Sequence, residues 1–587
     1  MHKRLTGILA TLAIILAACG GANTSSAPST APASIAPGGS PGSSTPESAA
    51  PSGADLAADQ ILNVTAQGEP PTLDPNKAQD SNSITVLRAL TRGLVYFDKD
   101  LKVVPGLATS WDVSSDAKTL TFHLRDAKYS NGDPIVAGDF VYSFKRLVDP
   151  RTAAPYAYVT AEIEGAPALL DMAGAKPAPS DATIKAALDK LGVSAPDDKT
   201  FVIKLNTPAS YFLTALTLWV FAPIQEKWIT SPNATEAGKF VSSGPFVLDS
   251  WKHNTELVVK PNPNWWGDTK PTLTELHFFL RSEPAADQAA YEAGELDMVQ
   301  TPSEDIQRVK ADAILGPMVL TNPTLGVDQY DFNNFQDPKL KSFTTPGPTA
   351  NKDFRIALTQ AVDKEAMIKA TWSGVGQVAN SFIMPGIPGY QADLNPYPFD
   401  LASAKTHMAT ALAALGKTSA ADFGKLKFGF NTGGGHEPRV AFLAEAWRQA
   451  FGLQTEQIGS DFSVFLTQRT AGQYDLARDG WGADYPHANN QLNGNFTCHG
   501  GNNNDQYCNK DFDALIAKAA AEPDQAKQVA LYNQAQTLLI NDAAILPLRY
   551  RTITYEVQPY VSGVLVTGSD SVSPGDEFWE TIKILKH

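Results

Sequence analysis

The sequence predicts a mixed α/β protein of more than one lobe, and three observations lead there. The chain has 587 residues, more than one hydrophobic core organises. Stretches with apolar residues at alternate positions, the period of a half-buried strand, interleave with stretches of helical period. The interleaving is irregular, without a fixed-period repeat. Hydrophobic residues make up 43% and charged residues 19%, the balance of an ordinary folded chain. The formal charge of −15 argues against nucleic acid, since phosphate binding needs a basic face. It argues equally against docking to anionic lipid through the protein surface.

In chain order, residues 1–19, MHKRLTGILATLAIILAAC, read as an export signal. His2, Lys3 and Arg4 precede an apolar run from Ile8 to Ala18 that is too short to span a bilayer as a stable helix. The run ends in Leu16-Ala17-Ala18-Cys19-Gly20, which resembles the bacterial lipobox. That resemblance implies that Cys19 receives lipid and becomes the mature N-terminus, with several acyl chains anchoring where one would not. Residues 20–54 are nearly all Gly, Ala, Ser, Thr and Pro, a composition that cannot bury enough surface to fold. A flexible linker of this length spans roughly 30 Å. Gly38 to Gly42 matches G-x-S-x-G, but the serine-hydrolase turn needs a strand before it and a helix after it, and neither is predicted.

Further on, Thr119 to Arg125 alternates, with Leu120, Phe122 and Leu124 on one face. Phe201 to Leu205, Leu257 to Lys260 and Leu276 to Leu280 are similar β-rich runs. Asp353 to Trp372 sets Phe354, Ala357, Leu358, Ala361, Val362 and Ile368 at helical spacing, with Asp353 near the start. Ala441 to Phe451 is a second amphipathic helix, stopped by Gly452. Besides Cys19, the cysteines are Cys498 and Cys508. In an oxidising compartment two thiols ten positions apart read as one local disulfide. The competing reading is a metal site of Cys498, His499, Cys508 and His487, but structural zinc favours tighter Cys pairs. No metal and no cofactor is expected.

Five stretches carry a resemblance. They are Leu107 to Tyr158; SGPFVLDSWKHNTELVVKPNPNWWGD; YDFNNFQ followed by KDFRIALTQAVDKEAMI; YDLARDGWGADY; and DAAILPLRYR. Together they resemble the bacterial extracellular solute-binding proteins of peptide ABC transporters (solute-binding family 5), in that family's order and across the mature chain. The resemblance implies a two-lobed periplasmic-binding-protein fold (class II, cluster C) with an extra domain and a hinged cleft. Lobe I would comprise 55–91, 218–325 and 556–587; domain II, 92–217; lobe III, 326–555, with the main ligand-binding residues. It further implies a monomer, lipid-anchored outside the cytoplasmic membrane, handing short peptides to a permease and ATPase complex.

A receptor for many peptides reads what they share: backbone, α-ammonium and α-carboxylate. In the resembling proteins the Asp of W-x-A-D-Y takes the ammonium, which here is Asp484. A carboxylate is needed because a desolvated ammonium requires a charge-assisted acceptor. Gly480 to Gly482 would pair with the ligand backbone, the glycines allowing close approach, and Gln79, Asp80 and Ser81 would be the opposite partner. Trp481 and Tyr485 would line side-chain pockets or belong to the core. For the peptide carboxylate the family uses a His and two Arg, matched here by His436, Arg469 and Arg478. Along extended chain Arg478 lies as much as roughly 20 Å from Asp484. This sequence departs from the family in Pro486-His487-Ala488, where an acidic residue and a proline are usual, and in Gly482, where close members have a cysteine.

Two other classes compete with this reading. An enzyme lacks support: Gly416-Lys417-Thr418 has Ala411 where a Walker A motif needs Gly, there is no H-E-x-x-H, and no nucleophile with a paired base is visible, Asp484 with His436 being the remaining candidate. The same fold also serves nickel chelates, haem, sugars and signalling peptides. Those ligands, the peptides excepted, do not need both charged poles.

Overall fold

Alternation places the strands where the sequence predicts them. The structure is a computed structural model describing residues 56–281, 283–335, 346–432, 435–498 and 500–587. Cys19, the signal segment and the 20–54 linker lie outside the described residues. Thr119–Leu124 buries Leu120, Phe122 and Leu124 and pairs with Ala108–Val113 and Thr200–Lys204, the latter carrying Val193–Asp197 at the edge. Helix Ala137–Val148 covers this sheet, with Phe140 and Phe144 packed on Phe201. Their core draws on residues from Leu94 to Phe221.

A second four-stranded sheet joins distant segments. Ile61–Thr65 runs parallel to Glu275–Phe279, which pairs with Glu256–Pro261 and that with Phe246–Lys252. The C-terminus closes the same core: Trp579 meets Phe278 edge-on, and Gln60 bonds the Ile584 backbone. The largest sheet has seven strands and includes two long ones, Val319–Phe332 and Ile545–Val557, paired with each other. Their register breaks between Pro323 and Val327. Val319–Phe332 passes through the 325/326 boundary expected from the sequence, and Met298–Gln300 also joins this sheet. Cores lie on both faces of the sheet's far part, around Phe382, Phe496 and Tyr532 on one side and Phe354, Phe428 and Trp447 on the other.

The helices differ from expectation in two places. The periodic stretch Asp353 to Trp372 forms two helices, Lys352–Gln360 and Lys364–Thr371. Asp363 breaks it by turning extended and accepting the Ala366 N–H as N-cap. Asn351, not Asp353, caps the first helix; Asp353 pairs with His407 instead. The second predicted helix starts earlier, His436–Phe451, and ends as expected at Gly452, which takes φ +73° and donates its N–H to Arg448 C=O. Among the described residues no helix is long and apolar enough to cross a membrane.

Candidate binding cleft

Strand Leu476–Gly482 positions most of the predicted residues. It is antiparallel to Val319–Phe332 and parallel to Lys425–Asn431. Residues directly opposite one another across a sheet share a face. The register sets Arg478 opposite Tyr330, Gly480 opposite Asp328 and Gly482 opposite Gly326. Asp328 in turn faces Arg549, and Arg551 returns to the same side two residues on. One face of three neighbouring strands therefore carries three arginines, one aspartate and three chain positions of little bulk or none.

Asp328 organises the arginines. It accepts from Arg549 Nε at 2.8 Å and Arg551 Nε at 2.8 Å. Burial opposes its ionisation, but Arg551 and Arg549 hold the carboxyl below the ordinary range. Arg549 and Arg439 each lie over the Trp372 ring, 4.6 and 4.5 Å from its centre.

The three basic residues expected to meet a carboxylate are not equivalent. Arg478 donates from Nε to Asn431 Oδ1 at 2.6 Å and lies 5.4 and 5.1 Å from the rings of Phe462 and Phe465. Asp479 instead forms an ion pair with Arg469. His436 begins its helix, and burial followed by the nearby Arg478 and Arg439 lowers its pKa to about 4. Its ring is therefore neutral at pH 7: it brings hydrogen-bonding capacity, and the positive charge comes from the arginines.

Asp484 lies just past the strand, whose pairing extends one residue as Ala483 N–H donates to Leu325 C=O at 2.8 Å. Its Oδ2 accepts from Asn490 Nδ2 at 2.9 Å and its Oδ1 from the Tyr158 hydroxyl at 3.2 Å, while its own N–H donates to Asn490 Oδ1 at 3.0 Å. Burial raises its pKa, and the Asn490 and Tyr158 hydrogen bonds work against that rise. Among the described residues no cation forms an ion pair with it. A partly buried carboxylate served only by neutral donors is suited to a cationic ligand group. His436 and Asp484 share no hydrogen bond or ion pair among the described residues.

Asp484 lines a cavity of about 520 Å³ together with Ser81, Tyr156, Gly482, Arg551 and Gly568. Val95 and Leu218 of the first core and Phe97 and Leu325 of the core around Phe382 reach its wall, whereas Arg478, Arg469 and His436 are not on it. The glycines differ in what they serve. Gly482 is exposed, with open space where a Cβ would be. At Gly480 a Cβ would collide with Arg551 Nη2, so this glycine admits a side chain of the protein itself. Trp481 and Tyr485 border a second pocket of about 250 Å³ beside Asp484 and also pack against the hydrophobic cores.

The opposite partner takes a different form from a strand. Gln79 is exposed, and Asp80 caps helix Ser81–Leu90, accepting from Ser83 N–H at 2.8 Å while its carbonyl accepts from Ile84 N–H. Ser81 remains on the cavity wall. Cys498 and Cys508 are joined as a disulfide, Cα atoms 4.4 Å apart. The bonded sulfurs are no longer thiolates, which takes two donors from the alternative metal set; His499 lies outside the described residues. Sequence reasoning missed Tyr158, Asn490, Asp328 and Arg551. Of these, Tyr158 and Arg551 end two of the stretches that carry the family resemblance, and Asn490 lies in the asparagine-rich run after Asp484.

Comparison with known proteins agrees with this architecture. The profile of bacterial extracellular solute-binding proteins, family 5 (middle part), matches residues 102–503. The periplasmic murein peptide-binding protein MppA of Escherichia coli (strain K12) is 31% identical over 543 residues, 91% of this chain and 94% of the relative. The solved unliganded open form of MppA superposes with a TM-score of 0.79 at 29% identity, covering 91% of this chain and 99% of that one. Haemophilus influenzae OppA in complex with the peptide RPPGFSPFR gives 0.64 at 29% identity, covering 90% and 100%. The fold is the two-lobed one of periplasmic binding proteins, and the chain belongs to the bacterial extracellular solute-binding proteins of family 5.

Proposed function

We propose that this protein is the substrate-binding component of an ABC transporter, capturing short peptides between its lobes and delivering them to the permease and ATPase complex. The observation that carries this reading is Asp484, a partly buried carboxylate on the cleft wall served only by neutral donors. It takes the peptide α-ammonium. The exposed edge at Gly482 takes the backbone by strand addition, and Arg478, Arg469 and a neutral His436 meet the carboxylate of longer peptides, directly or through water. Arg469 does so only by sharing or leaving Asp479.

The protein acts as a receptor and not as an enzyme, as a monomer, tethered outside the cytoplasmic membrane through lipid on Cys19 and the 20–54 linker. Lobe I (55–91, 218–325, 556–587), domain II (92–217) and lobe III (326–555) close about the register break between Pro323 and Val327. Native mass spectrometry of protein purified from its host tests the reading. Co-purifying peptides with free N-termini are expected. A sugar, haem or metal chelate in the cleft, or equal affinity for N-acetylated and free peptides, would refute it.

A further inference from the structure

Arg551 is the cation that the cavity wall shares with Asp484 and that still has donors to give. Two other arginines line the cavity, and both are engaged: Arg88 by Asp576, Glu577 and the Ser569 carbonyl, Arg92 by Glu580. Arg551 gives only Nε, to Asp328 at 2.8 Å, and among the described residues nothing bonds its terminal nitrogens. Its side chain is 37% exposed. Asp328 cannot neutralise it alone, because that carboxylate also serves Arg549.

The sequence makes room for this side chain at two places. Arg551 lies across the sheet over Gly326 and Gly480; a Cβ at Gly326 would stand 2.8 Å from Arg551 Cδ, and one at Gly480 would strike Nη2. The guanidinium end is thereby fixed beside residue 480, with Asp328 holding its Nε. Gly480 precedes Asp484 by four positions, which is about 13 Å of extended strand. An extended peptide of three or four residues covers about 10–14 Å. Arg478 stands six positions from Asp484, about 20 Å, the span of five or six residues.

We propose that Arg551, oriented by Asp328, binds the α-carboxylate of peptides of three or four residues and so sets a preference for that length. This rests on the peptide-receptor reading above and assigns a specificity-determining residue to the same cleft. The nitrogens that meet the ligand are the terminal ones, a forked donor suited to a carboxylate.

Calorimetry with trialanine, its C-terminal amide, hexaalanine and N-acetyl-trialanine tests it, using wild type, Arg551→Gln and Arg551→Lys. Wild type is expected to prefer the trialanine acid over its amide by roughly 10- to 100-fold, the worth of hydrogen bonds to a charged group. Arg551→Gln should erase that preference, Arg551→Lys should restore part of it, and hexaalanine affinity should change little in either. An acid-to-amide ratio untouched in Arg551→Gln, or equal losses for trialanine and hexaalanine, would overturn the assignment. Should N-acetylation abolish binding while Arg551 proves indifferent, this inference alone falls. Should none of these peptides bind wild type, the receptor reading and this inference fall together.

Discussion

Replacing Asp484 by asparagine keeps the shape and removes the charge. The carboxylate is met by Asn490 and Tyr158, both neutral, so on the proposed reading a peptide ammonium supplies the missing charge in a partly desolvated place. Losing one member of such a pair costs about 2–5 kcal/mol, which is roughly 30- to 4000-fold in Kd. Titration calorimetry of tripeptide and N-acetyl-tripeptide at pH 7 should show that loss for the free peptide, and the variant should no longer distinguish the two. The pH dependence has a definite sign. Burial raises the empty-state pKa of Asp484, so as pH falls through that pKa a proton occupies the site that the ammonium needs. Affinity declines in wild type and stays flat in Asp484→Asn. In the empty protein the raised pKa means that the ionised form costs stability above it, so the variant should be at least as stable as wild type at pH 7. Unchanged affinity in Asp484→Asn would refute the assignment, as would binding of the acetylated peptide at full strength.

Gly480→Ala should weaken binding of short peptides by displacing Arg551, whereas Gly482→Ala, facing open space, should leave the fold intact; calorimetry beside thermal melts separates the two. Removing the disulfide with Cys498→Ala and Cys508→Ala should cost about 2–3 kcal/mol, the chain entropy of so short a loop, read from denaturant melts with and without reductant. His487 is held to about pKa 4 by burial. Its unfolded form takes a proton near pH 6.5 and its folded form only near 4, so stability should fall as pH drops through that window. His487→Asn should flatten the dependence of Tm on pH between 6.5 and 4.

What was legible in the sequence follows from the range over which each feature is set. The alternation around Phe122 and the stop at Gly452 are local, and both appear where they were predicted. The W-x-A-D-Y stretch located the end of a strand and a carboxylate beyond it because the strand and its turn are contiguous. The break inside 353–372 was hidden because apolar spacing continues through it; the first helix stops at Gln360 and Asp363, capping Ala366 N–H, starts the second. Arg551 was hidden for a different reason. Its bond to Asp328 joins residues 223 apart in the chain, and its place over Gly480 depends on the registers of three strands. The same holds for Tyr158, whose meeting with Asp484 crosses 326 positions.

That phenol has a consequence for turnover. A transport receptor must exchange its cargo, and a lysine in place of Tyr158 would act as a built-in competitor, its own amine filling the seat meant for the passenger. A hydroxyl at 3.2 Å does less: on the proposed role of Asp484, it is a neutral donor that a peptide ammonium would outcompete.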